Sequence, residues 1–143
     1  MYISIKEAHN MIGMLLLFVQ LIVVVYVLAQ VILKKPFDKL VQMFALMGLI
    51  VTHSQILIGV ILYFISPVGA ANFSGEAMGN TISRFYLVEH PFGMILAAVL
   101  ITIGYRAAKS EKFSDKEKYK RVLILYSIGL TLTAYMVPWF VWN

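Results

Sequence analysis

Three histidines, His9, His53 and His90, all fall in or at the edge of long apolar segments. Ionisable side chains inside a membrane are expensive, so each is a candidate functional residue. A helix rises about 1.5 Å per residue. On that scale His53 lies ~21 Å from Lys39, the first charge before its segment, and His90 lies ~24 Å from Arg106, the charge that follows its own. Those two imidazoles are expected at one level on consecutive helices. His9 lies ~37 Å from Lys34 and is expected ~13 Å further out than His90.

Neutral imidazoles facing each other across a helix bundle can supply both axial nitrogens of an iron porphyrin. His53 and His90 are therefore the candidate haem-iron ligands. At helical spacing around His90 stand Tyr86, Gly93, Met94, Ala97, Ile101 and Gly104. Gly93 and Ala97 would leave room for a macrocycle edge, or would form a small-x-x-x-small face for close helix packing. The face of His53 carries Leu46, Leu49, Ile50, Ile56, Leu57 and Val60, apolar throughout, as in a haem pocket or a lipid-facing stripe. The other reading of His53 is a hydrogen bond to a neighbouring helix. The stripe Gly48, Thr52, Gln55 and Gly59 points about 130° away and is expected to pack on another helix.

A second constellation lies toward the outer end. His9, Gly13 and Gln20 share one helix face, and Glu89 stands beside His90 with Arg84 outward of it. Arg84 could anchor haem propionates. His9 and Glu89 could form a quinol or proton site, because quinol oxidation needs a nearby base. Arg84 and Glu89 could equally form an interfacial ion pair. Met11, Met14, Met78, Met94 and Met136 raise copper as a lesser alternative, since thioether and imidazole both suit it. Methionine is also a common filler of apolar gaps. With no cysteine, thiolate metal sites, disulfides and c-type haem attachment are excluded. No nucleophile arrangement, phosphate-binding loop or carboxylate cage is visible.

These residues must be positioned by membrane helices. The 143-residue chain is 61% hydrophobic and only 13% charged, with a mean hydropathy of +0.84. Soluble domains are nearer a quarter charged. Four apolar segments, about 8–33, 40–65, 81–108 and 119–142, are each long enough to cross a bilayer core. The run from Met11 to Leu33 is too long for a signal-peptide core. The chain is thus expected to be a single all-α domain, 1–143, an integral membrane four-helix bundle of up-down-up-down order.

Basic residues orient it. Lys34, Lys35, Lys39, Arg106, Lys109, Lys112, Lys116, Lys118, Lys120 and Arg121 fall on one side, against Lys6 and Arg84 on the other. Ten against two put the two basic loops in the cytoplasm and both termini in the periplasm. Trp139 and Trp142 are then expected at the outer interface. The net charge of +5 reads as topology and not as nucleic-acid binding. The outer loop, 66–80, is rich in Gly, Ala, Ser and Asn.

The strings Thr52-His53-Ser54-Gln55-Ile56-Leu57-Ile58-Gly59 and Val88-Glu89-His90-Pro91-Phe92-Gly93-Met94, with His9-Asn10, Ile101-Thr102-Ile103-Gly104 and Pro138-Trp139, carry a resemblance. Over nearly its whole length the chain resembles small four-helix membrane proteins of Bacteroidetes labelled cytochrome B. More distantly it is similar to cytochrome b561 bundles and succinate dehydrogenase membrane anchors, whose haem is held by two histidines. The resemblance implies a subunit of a bacterial inner (cytoplasmic) membrane that carries haem b. Together with the residues it leads to two expectations. The first is an electron-transfer subunit, and not a stand-alone enzyme, with one haem b on His53 and His90. Its partners would be a quinone, a redox protein or a larger membrane complex. The second is a cofactor-free scaffold or accessory subunit, with the histidines in helix packing.

Overall fold

The computed structural model describes residues 1–141. Every regular element among them is helical. Helix α1 is Tyr2–Ile32, six residues earlier in its start than the apolar pattern predicts. It ends in a Schellman motif: Lys34 N–H donates to Val31 O and Lys35 N–H to Gln30 O. Lys34 occupies the left-handed position at φ 53°, which favours glycine. Lys34→Gly is expected to raise thermal stability in detergent by about 0.5–1 kcal/mol, the relief of a non-glycine residue there less the added freedom of the unfolded chain. A lower melting temperature would contradict that assignment.

Helix α2 is Lys39–Ile65. The Asp38 carboxylate caps it by accepting from Val41 N–H at 3.0 Å. It ends at the Ser66-Pro67 pair, as expected from the restriction that proline imposes on its predecessor. After α2 come a 3-10 turn, Ala70–Asn72, and two short helices, α3 (Gly75–Gly79) and α4 (Thr81–Arg84). A wide π-helical turn, Phe85–Glu89, joins α4 to α5 (His90–Lys109).

Pro91 explains where that turn lies. In a regular helix the Leu87 carbonyl would accept the N–H of residue 91, and proline has none. Tyr63 Oη on α2 donates to that carbonyl instead, at 3.2 Å, so a freed backbone group is satisfied across the helix pair.

Helix α6 is Asp115–Tyr135 and opens on a Ser114/Glu117 capping box. Hydrogen bonds from the Ser114 backbone N–H and hydroxyl hold the Glu117 carboxyl below the usual carboxylate range. The sequence pattern predicts helix to residue 142, yet α6 stops at Tyr135. Pro138 cannot continue it, and a 3-10 turn, Trp139–Val141, follows. Trp142 lies outside the described residues.

Three helical stretches are long and apolar enough to cross a membrane: Tyr2–Ile32, Lys39–Ile65 and Thr81–Lys109. Helix α6 has fewer apolar residues, because its first two turns carry charge through Arg121. Helix α1 packs on α2 and α6, and α5 packs on α2 and α6, so α1 and α5 lie diagonally across the interior. Val23, Val27, Val41, Ala45, Ile101, Val122 and Tyr126 form the core. Phe18, Ile50, Leu57, Phe92 and Val99 face outward, as lipid contact requires. At one end the α1–α2 and α5–α6 loops are tied together. The Asp115 carboxylate accepts from Phe37 N–H at 2.9 Å, and Tyr119 Oη donates to Pro36 O at 3.0 Å.

Candidate functional site

His53 does not meet His90. It lies on the exposed side of α2 with Ile50 and Leu57. Its Nδ1–H donates to Leu49 O at 2.9 Å, and its Nε2 lies 3.3 Å from Thr102 Oγ1 on α5. Thr102 is twelve residues beyond His90, about 18 Å along the helix. The expectation that His53 and His90 share one level, and one iron, is therefore corrected. The lysines and arginines that end the segments are poor level marks. Their long side chains reach for the interface from different depths, and α5 itself runs on to Lys109. The polar atoms of His53 are used at the helix surface, so an interior position is not required to satisfy them.

His90 meets His9 instead, across the diagonal of the interior. Their ring centroids are 6.2 Å apart with the planes at 72°. The placement of His9 some 13 Å further out is corrected on the same ground. Two neighbours fix the state of these rings. Met136 lost the end of its helix to Pro138, and its free carbonyl accepts from His90 Nδ1–H at 2.7 Å. Gln55 is 5% exposed. Its Nε2 donates to His9 O at 2.9 Å and to His9 Nε2 at 3.3 Å. A carbonyl only accepts, so the nitrogen assignment of Gln55 follows from the first bond. His9 Nε2 is then an acceptor, and the proton of that neutral ring is on Nδ1.

His9 Nδ1 is buried without a hydrogen-bond partner, as are Gln55 Oε1 and Gln20 Oε1. Deeper along the same interface, Gln20 Nε2 donates to Thr52 Oγ1 at 2.8 Å. Thr52 in turn donates to Gly48 O at 2.7 Å. The stripe thus does pack on other helices: Thr52, Gln55 and Gly59 meet α1, and Gly48 lies between Gln20 of α1 and Tyr126 of α6. Gly59 lies against the His9 ring: a Cβ there would sit 3.2 Å from Cε1.

Gly93 and Ala97 face α6. A Cβ on Gly93 would come 2.6–2.7 Å from the Met136 side chain, and the position of a Gly129 Cβ is 3.6 Å from Ala97 O. Ala97 is fully buried. The space expected for a macrocycle edge is filled by protein, and the small residues serve close packing. A haem does not fit between His53 and His90. Arg84 and Glu89 form an exposed ion pair at 2.8 Å, the plainer of the two roles expected for Arg84. Among the described residues no group of three or more His, Cys, Asp or Glu side chains could hold a metal ion. The Met136 thioether sits at Gly93 as a filler of packing space.

Sequence reasoning missed the contact of His9 with Gln55 and the role of the Met136 carbonyl. A signal for the first was present: Gln55 lies on the packing stripe of α2, and His9 lies on the polar face of α1. For the second the signal was Pro138, which leaves carbonyls unpaired at the end of α6.

An all-helical chain with three helices long and apolar enough to cross a bilayer is a membrane protein in its class. Within that class no family model matches the chain, and no curated protein or solved structure matches it.

Proposed function

We propose that the chain is a cofactor-free accessory subunit of a larger complex in a bacterial inner (cytoplasmic) membrane. In this reading it crosses the bilayer four times, up-down-up-down, with both termini periplasmic. One observation carries it: the histidines act as bonds between or within helices. His90 ties α5 to the end of α6, His9 ties α1 to α2, and His53 meets Thr102 across α2 and α5. The short apolar part of α6 adds support for a complex. Residues 122–135 span about 21 Å, less than the ~30 Å of a hydrocarbon core, and a neighbouring chain would shelter the remainder.

A specific observation favours a second reading, a haem b subunit that transfers electrons with a quinone or a redox partner. His90 gives its Nδ1–H to a carbonyl and presents Nε2 as a lone pair, the state in which imidazoles bind metals. The opposing ligand would be His9 and not His53, and the Met136 side chain would have to leave the space beside Gly93. The absorption spectrum of protein purified from haem-sufficient cells, before and after dithionite, separates the two. The expected result is no haem band and no stoichiometric iron or copper. A sharp b-type band that shifts on reduction would overturn the first reading, and its loss in His9→Ala but not His53→Ala would establish the second.

A further inference from the structure

His9 and His90 leave complementary hydrogen-bonding groups unused. His9 offers a buried Nδ1–H with no acceptor, because Gln55 occupies its Nε2. His90 offers an Nε2 lone pair, because Met136 O takes its Nδ1–H. The first is a buried donor and the second an acceptor that makes no bond within the chain, on rings 6.2 Å apart. A buried donor without an acceptor is costly, so a group such as His9 Nδ1–H is normally paired. A single oxygen between the rings, about 2.9 Å from each nitrogen, would satisfy both only if it accepts one hydrogen bond and donates another. A hydroxyl does this. A carbonyl, an ether or a carboxylate cannot, because none of them donates.

The surroundings narrow the class. Phe85 lies 5.7 Å from His90, ring to ring, and packs edge-on to Tyr86 and Phe140 at 5.4 Å. Tyr86 and Phe140 are 6.2 Å apart. The two-histidine site is thus flanked by an aromatic cluster, of which Phe140 is about half exposed. Aromatic rings prefer edge-to-face and offset partners, which suits a flat phenol. Beside them the outward apolar surface of Phe92 and Ile95 gives a lipid tail a path to the bilayer.

We propose that His9 and His90 together bind one phenolic hydroxyl of a membrane-soluble hydroquinone. His9 Nδ1–H donates to the phenolic oxygen, and the phenolic O–H donates to His90 Nε2. Gln55 and the Met136 carbonyl are positioning groups, since each fixes the tautomer of the ring it touches. The site rests on the membrane-spanning reading and is independent of whether the chain joins a complex.

The test uses the full chain in lipid nanodiscs, with insertion checked separately by flotation with liposomes and resistance to carbonate extraction. The probes are a decyl-substituted benzohydroquinone and its dimethyl ether, which keeps the shape and loses both O–H groups. With ¹⁵N-labelled histidine, the hydroquinone is expected to shift the ring nitrogens of His9 and His90 and to leave those of His53 unchanged. The ether is expected to bind at least tenfold more weakly, as a site built for a hydroxyl rejects analogues that lack one. His9→Ala and His90→Ala should each weaken hydroquinone binding at least tenfold, and His53→Ala by less than twofold. The wild-type spectrum does not depend on any variant folding. Equal binding of the ether, or His9 and His90 signals unmoved by hydroquinone in inserted protein, would leave the pair to a water molecule and overturn the proposal. Failure of flotation would instead count against the membrane reading itself.

Discussion

Tyr126→Ala is expected to lower the stability of the folded helices by about 3–5 kcal/mol, the range for removal of a large buried aromatic ring. Tyr126 is fully buried and stands between two glycines on different helices. A Cβ on Gly48 of α2 would lie 2.9 Å from its Cε1, and one on Gly104 of α5 would lie 2.8 Å from its Cε2. One ring of α6 therefore fills the hollow that two neighbouring helices open for it. In lipid, helices gain little from hydrophobic transfer and associate by packing, so loss of that ring leaves a void with no other source of attraction. Its hydroxyl donates to Ala45 O at 2.6 Å. Hydrogen bonds between membrane helices average near 0.6 kcal/mol, so Tyr126→Phe should cost only about that much. Reversible unfolding in mixed micelles measures both. If Phe costs as much as Ala, the hydroxyl and not the ring holds the helices.

The helices were legible in the sequence because lipid imposes a simple demand. Runs of about 20 apolar residues between charges must be helical when no water can satisfy the backbone. Hence α1, α2 and the stretch ending at Lys109 lie close to where composition puts them. The exceptions have local causes. Pro138 ends α6 at Tyr135, although the apolar pattern runs on. Tyr2–Glu7 are helical although polar residues interrupt them, because propagation adds a hydrogen bond for each residue fixed. The site was less legible, because contact across the interior depends on rotation and relative height. Neither is written in one helix alone. His53 and His90 agree in distance from Lys39 and Arg106, the charges at the basic ends of their segments, yet His53 pairs with Thr102. Gly93 and Ala97 read equally well as room for a ligand or as a packing face, and only the position of Met136 decides between them. His9 was marked by its polar helix face, but the ring it faces, His90, lies on the diagonal helix, where sequence order gives no guide.

Membrane-impermeant maleimide is expected to label Ala71→Cys in intact spheroplasts and to label Glu111→Cys only after the membrane is opened. The chain has no cysteine of its own, so each variant carries one reactive thiol and the readout is all-or-none. Residue 71 lies in the segment between α2 and α3 and residue 111 in the α5–α6 turn, both exposed. Hydrogen bonds between Phe37 and Asp115 and between Tyr119 and Pro36 put the α1–α2 and α5–α6 loops at one end. Ser66 and Tyr2, 3.4 Å apart, join the N-terminus to the other end. What remains is which end faces the cytoplasm, and the basic residues predict it. Ten of the twelve Lys and Arg lie toward the end that carries both joined loops, where the positive-inside rule retains them. Reversed labelling would overturn that argument. A reporter fused after Asn143 tests the remaining span separately, because the apolar part of α6 is short. It should behave as periplasmic if α6 crosses. A cytoplasmic reporter with Ala71→Cys still labelled from outside would mean that α6 packs against the other helices without crossing. The chain would then have three spans, and its termini would lie on opposite sides.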